Sequence, residues 1–129
     1  MDSFPRREQF LRARQRLLEG LAEYAATQSQ VVRDGVIQRF EFTADQARKA
    51  LEERLKADGC PDPLLTPKIV IHQAFAAGLV KDQEGWLQLL SDRNITSHSC
   101  SEATADQVFA RIRETHLPLL DALTGALAG

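Results

Sequence analysis

The sequence predicts an all-α protein, an antiparallel up-and-down four-helix-type bundle with one broken helix. Three observations carry that expectation. Ala, Leu, Glu, Gln, Arg and Lys dominate the chain, and these are the residues that lose least on entering a helix. The alternating Val/Ile/Thr/Tyr runs that mark strands are missing. Apolar residues recur at three- and four-residue spacing over stretches long enough for helices of about 35–40 Å at ~1.5 Å per residue. A chain of 129 residues without internal repeat, low-complexity tract or composition break is expected to form a single domain over 1–129.

The first helix is expected to begin with Ser3 as cap and Pro5 in its first turn, and to end near Thr27–Ser29. Phe10, Ala13, Leu17, Leu21 and Tyr24 form its apolar stripe, and Gly20 within it suggests a close helix contact. A second long helix is expected from about Val31 to Asp58, closed by Gly59, Pro61 and Pro63. Its stripe is Val32, Val36, Phe40, Ala47, Leu51 and Leu55; Ile37 and Phe42 lie off that line, so part of this helix is expected to bury two faces. The prolines between Gly59 and Pro67 predict a rigid loop.

Thr66 and Pro67 open a short third helix ending at Gly78. A fourth is expected from Glu84 to about Ser97, with Trp86, Leu87, Leu90 and Asn94 in register. The third and fourth pieces together would form the broken strut. Ser101 to Thr104 cap a last helix that runs to about Leu127 through Val108, Ile112, Leu119 and Leu123. Pro118 is expected to kink it, since the ring removes the bond to the Glu114 carbonyl.

Composition excludes several functions. Sixteen basic and eighteen acidic residues give a formal charge of -2, which is not that of a broadly basic nucleic-acid coat. The mean hydropathy is -0.29, and no stretch approaches the ~20 apolar residues of a membrane span. The start of the chain lacks the apolar segment of a signal peptide, so a cytoplasmic protein is expected. Cys60 and Cys100 form no Cys-x-x-Cys, and Asp92, Glu84 and Glu102 lack the spacing of a magnesium or zinc site. No glycine-rich phosphate loop is present. Neither metal nor cofactor is expected.

The candidate for chemistry is the run from Asp92 to Ser101, which packs a carboxylate, a guanidinium, an amide and an imidazole into a helix junction. An imidazole can move protons in either direction near neutral pH, and a guanidinium is a bidentate clamp for phosphate. Together they suffice for metal-free RNA cleavage, provided the helix loosens near Thr96–His98 so that Arg93 and His98 share a pocket. Arg93 and His98 are the expected catalytic pair, supported by Asp92 and Asn94. The bland alternative is a polar cap on a helix end.

Arg93, four intervening residues and His98 resemble the motif of HEPN-domain ribonucleases. Val36 to Thr43, Gln73 to Leu79, Trp86–Leu87, Asp92 to His98 and Leu117 to Leu120 resemble, in the same order, one branch of them: the nucleotidyltransferase substrate-binding family. These are the HEPN partners of minimal nucleotidyltransferases in bacterial toxin–antitoxin pairs. The resemblance implies a helical homodimer with the Arg and His of both subunits facing one cleft. It also implies RNA cleavage restrained by a nucleotidyltransferase antitoxin, or, in the alternative, a non-catalytic substrate-binding subunit. In many relatives a tyrosine two residues after the His is adenylylated by the partner. Here that position is Cys100, which leaves Thr96, Ser97, Ser99 and Ser101 as possible acceptors.

The remaining polar residues divide between readings. Arg39 and Glu41 would sit near the cleft or a dimer contact, or form a salt-bridged flank. Arg6, Arg7, Arg12, Arg14 and Arg16 could guide RNA phosphates or simply face solvent. His72 and His116 are expected at the surface or in caps. Trp86 and Phe75 are expected to anchor the core or an interface.

Overall fold

The computed structural model describes residues 3–98 and 101–128. It contains α1 (Pro5–Thr27), α2 (Gln30–Ala57), α3 (Pro67–Ala76), α4 (Gln83–His98), α5 (Glu102–Arg111) and α6 (Leu117–Ala128). A π-helical turn, Ile112–His116, joins α5 to α6 without interruption. No strand occurs among the described residues.

The bundle is antiparallel. Arg6 and Arg7 at the start of α1 meet Glu53 near the end of α2, whereas Arg39 of α2 reaches Arg16 of α1. Asp45 and Glu41 descend along α2 as their partners Arg93 and Thr96 ascend along α4. Arg7 and Arg14 of α1 meet Leu127 and Asp121 of α6. α3 and α4 form the broken strut, as expected.

α2 is the spine, touching α1, α3, α4 and α5. It buries Val36, Ile37, Phe40, Ala44, Ala47, Ala50, Leu51 and Leu55, a set wide enough to cover two faces, as the off-line Ile37 predicted. Phe42 is the exception and stands 52% exposed. Phe10, Leu17, Leu89, Ile112, Leu120 and Leu123 close the core around the spine. Each large apolar side chain contributes roughly 1.5–3 kcal/mol by leaving water. At Gly20 a Cβ would lie 3.2 Å from the Val36 side chain, so this glycine does mark the close approach of α1 and α2.

The ends of the helices follow local chemistry with one departure. Ser29 caps α2, Thr66 caps α3 and Ser101 caps α5, each hydroxyl accepting a first-turn amide. Gly59 takes φ +83°, which lets Cys60 N–H return to the Leu55 carbonyl at 2.9 Å. α1 is not capped by Ser3: Phe4 occupies the cap position with no side-chain bond. The Glu53 carboxylate of α2 instead accepts from the Arg6 and Arg7 amides at 2.9 and 3.2 Å. A tertiary carboxylate thus satisfies amides that sequence reasoning gave to a local hydroxyl.

Two registers also differ from expectation. α4 buries Trp86, Leu89 and Asp92, while Leu87 and Leu90 are only partly covered and Asn94 is exposed. In the last helix the chain answers Pro118 with the π turn, in which Leu117 N–H bonds to the Ile112 carbonyl five residues back. The wide turn absorbs an extra residue just where the proline cannot donate to Glu114. The buried position therefore moves from Leu119 to Leu120. Phe75, expected as an anchor, is 46% exposed, whereas Trp86 is in the core.

Leu51 has no exposed surface. Leu51→Ala should therefore lower the unfolding free energy by about 2–5 kcal/mol. Urea denaturation should read this as a lower midpoint with an unchanged slope.

Candidate functional site

α4 carries the site, and its rotation is set by Asp92. The Asp92 side chain is completely buried. Its two oxygens accept from Arg111 Nε and Nη2 at 2.7 and 2.8 Å, and His116 Nε2 lies 2.6 Å from Oδ2. Gln88 adds a bond at 3.1 Å from the preceding turn. Burial alone would raise the Asp92 pKa, but the His116 and Arg111 hydrogen bonds prevail and hold it at about 2. His116 is fully buried and stacks on Phe40 with centroids 5.3 Å apart. Its Nδ1 has no hydrogen-bond partner among the described residues.

Two expectations are corrected here. His116 is a core residue rather than a surface or capping one. Asp92 is turned inward toward Arg111 and His116, so it positions α4 rather than His98. A lone His and a lone Arg near a proline gave no periodic signal of this network.

Successive helix residues point about 100° apart, so a buried Asp92 places Arg93 on the flank of α4 beside α2. There Arg93 Nε and Nη2 donate to the two oxygens of Asp45, each at 2.9 Å, and Nη1 donates to Ser97 Oγ at 3.1 Å. The hydrogen bonds to Asp45 raise the guanidinium pKa, so Arg93 stays charged. Glu41, one turn before Asp45, accepts from the Thr96 and Ser97 hydroxyls, both at 2.9 Å. Glu41 thus belongs to the site, while Arg39 turns away to donate to the Arg16 carbonyl at 2.6 Å. Asp45 was missed by the sequence reading. Its signal was the Glu41, three residues, Asp45 spacing, which puts two carboxylates on one face of α2.

His98 closes α4 and is exposed, as is Asn94. The helix does not loosen before His98, so the condition for Arg93 and His98 to share a pocket within one chain is not met. On an ideal helix five residues rise about 7.5 Å and turn about 140°. Arg93 and His98 of one chain therefore share an end of α4 without sharing a face. Among the acceptor candidates, Thr96 and Ser97 lie in the Glu41 cluster, and Ser101 caps α5 through Thr104 N–H at 3.1 Å. Ser99 and Cys100 lie outside the described residues.

A buried arginine was also missed. Arg33 has only 4% of its surface exposed and bonds to Asp34, Glu102 and Asp106. It fastens the start of α5 to the start of α2. His72 bonds to Gln83 at 2.8 Å between α3 and α4. Among the described residues no group of His, Cys, Asp and Glu is placed to hold a metal ion, and no helix is long and apolar enough to cross a membrane.

Comparison with known proteins adds the following. Residues 6–128 match the model of a family described as nucleotidyltransferase substrate binding protein like. A probable ribonuclease HepT of Haemophilus influenzae is 31% identical over 81 residues, which is 60% of this chain and 56% of that protein. The match thus spans little more than half the length of that relative. HI0074 of Haemophilus influenzae is a solved structure described as revealing the fold of a substrate binding domain of a nucleotidyltransferase. It matches with TM-score 0.83 over 95% of this chain and 99% of its own at 22% identity, a likeness of fold. A crystal structure of a Thermus thermophilus protein matches with TM-score 0.74 at 31% identity, over 90% of this chain and 99% of its own.

The Asp92 network has a definite pH signature. A carboxylate whose folded pKa of about 2 lies below its ordinary value of 3.8 stabilises the fold above pH ~4. The unfolded chain takes up the proton first as pH falls, so this contribution is lost progressively down to pH ~2. Asp92→Asn should cost at least about 2 kcal/mol at neutral pH. Denaturant titrations between pH 5 and 2 should show a shallower loss of stability in that variant.

Proposed function

The chain belongs to the nucleotidyltransferase substrate binding protein like family, and from that premise we propose that it is a HEPN toxin-like, metal-independent endoribonuclease. Its activity is restrained by a separate minimal nucleotidyltransferase in the cytoplasm. The observation that carries this reading is the placing of Arg93 and His98 on the last turns of one solvent-facing helix end. Similarity to a probable ribonuclease HepT agrees with it.

In the proposed reaction the His98 imidazole takes the proton of an RNA 2'-hydroxyl. The freed oxygen attacks the adjacent phosphorus and the bond to the 5'-oxygen breaks, that oxygen taking a proton from an imidazolium. The products are a 2',3'-cyclic phosphate and a 5'-hydroxyl. Arg93 meets the charge that builds on the phosphorane, and Asn94 lies beside it to hold the backbone. Because Arg93 and His98 of one chain point about 140° apart on an ideal helix, the reading includes a homodimer. Two copies supply both an acid and a base, and an imidazole from one chain can face the guanidinium of the other. The whole described domain acts as one unit in this scheme.

A specific observation favours a second reading. The Nε/Nη2 edge of Arg93, the edge best suited to phosphate, is filled by the Asp45 carboxylate. A protein that keeps that edge closed would be a non-catalytic, substrate-binding subunit of the nucleotidyltransferase. In either reading Thr96, Ser97, Ser99 and Ser101 are the hydroxyls near the position where relatives are modified.

Cleavage of RNA by the purified protein in the presence of a chelator decides between the two. His98→Ala should reduce the rate by roughly 10²–10⁴-fold, the usual worth of general acid–base catalysis. Arg93→Lys keeps the charge but loses the bidentate fork, so it too should cleave more slowly. Both variants should retain wild-type helical content by circular dichroism. Equal cleavage by wild type and both variants would leave the binding reading.

Light scattering at micromolar concentration should give about twice the 14.4 kDa chain mass. A monomer would remove the two-copy site.

A further inference from the structure

The outer surface where α1 crosses α2 holds a hollow of about 290 Å³ lined by Ala13, Arg16, Gln38, Arg39 and Phe42. We propose that this hollow is a nucleotide subsite for single-stranded RNA, taking a base on Phe42 and its phosphate on Arg39 and Arg16. The proposal rests on the ribonuclease reading for its ligand class, and it assigns residues that lie outside the Arg93 cluster.

Four observations support it. Phe42 is half exposed on a helix whose neighbouring apolar residues are buried, and an exposed aromatic face is a stacking platform for any base. Arg39 is held in place by one nitrogen, Nη1, through its bond to the Arg16 carbonyl. No carboxylate forms an ion pair with Arg12, Arg16 or Arg39 among the described residues. Other arginines of the bundle, such as Arg14, Arg33, Arg48 and Arg93, are all paired. Unpaired guanidinium groups beside an aromatic ring fit an anionic, planar ligand.

The hollow also connects to the candidate site. Gln38 lines it and lines the adjoining polar hollow that holds Glu41 and Thr96, and its exposed amide has both donors and an acceptor for a base edge. On the far side Glu19 and Glu23 line the next hollow together with Arg39. Carboxylates thus flank the subsite on both sides, Glu19 and Glu23 beyond Arg39 and Asp34, Glu41 and Glu102 beyond Gln38, which confines the phosphate to Arg39 and Arg16.

The test is binding of a fluorescein-labelled single-stranded RNA oligonucleotide to the full chain, followed by anisotropy, with molar mass measured by light scattering on the same samples. All proteins carry His98→Ala so that the probe stays intact. Phe42→Ala should weaken binding by roughly 5- to 150-fold, the range for loss of one stacked base. Phe42→Trp should restore it. Arg39→Gln should reduce the slope of log affinity against log salt by about 1.

Unchanged binding by Phe42→Ala overturns the subsite. So does a loss that coincides with a fall in molar mass, because Phe42 is then a contact between two copies of the chain. If the parent binds the probe with these effects but the unmutated chain does not cleave RNA, the subsite stands and the nuclease reading falls. If the parent binds no single-stranded RNA, both fall.

Discussion

The structure turns on one buried carboxylate. Transferring a charged Asp side chain into a helical core costs several kcal/mol unless its oxygens are matched by donors on every side. Asp92 is matched from α4 itself by Gln88, from the end of α5 by Arg111, and from the π turn by His116. These bonds fix three things together. They set the rotation of α4 about its axis, the depth at which the last helix packs, and the inward direction of His116 on the π turn. Rotating α4 by one residue toward Arg93 would set its guanidinium against Arg111 and His116 in place of the Asp92 carboxylate, like charge on like.

With that rotation set, Arg93 meets α2 at Asp45, and the next turn of α4 meets Glu41. The candidate site is therefore a meeting of two helix faces of opposite character, hydroxyls and a guanidinium on α4 against carboxylates on α2. Its electrostatics are self-contained. The arginine is held by both edges and stays charged. The same carboxylates take the donors of Arg93, Thr96 and Ser97, so α2 and α4 hold one another through this cluster. α2 also supplies the carboxylate that caps α1, the threonine hydroxyl that reaches the Ala13 carbonyl, and the arginine that anchors α5. A spine with so many directed polar bonds leaves little freedom to shift without altering the site.

Much of this was legible in the chain. Helical periodicity located α1, α2, α3 and α5 within a few residues, because apolar burial on a fixed 3.6-residue repeat writes itself into order along the sequence. The Thr66 and Ser101 caps and the Gly59 stop were equally readable, since each acts on neighbours three or four residues away, whereas the Ser29 cap of α2 was passed over. Motif resemblance singled out Arg93 and His98, and the structure places both in the C-terminal half of α4 without bringing them together. Asp45 was legible only as a second carboxylate one turn after Glu41; that its partner is Arg93, 48 residues away, leaves no trace in local spacing.

The sequence by itself therefore determined the helical class, the broken strut, the close approach at Gly20 and the segment that carries Arg93 and His98. All but the Gly20 contact depend on interactions within a turn or two of the chain, and a glycine inside an apolar stripe marks a close approach without naming its partner. Only the tertiary structure decided that Asp92 and His116 face inward, that Glu53 caps α1, that Pro118 is met by a π turn, and that Arg93 is gripped by Asp45. All but the π turn join residues on different helices, and the π turn sets the phase in which the last helix meets the core. The outcome depends on which side of a helix finds a partner of opposite charge, and that is settled by packing rather than by composition or period.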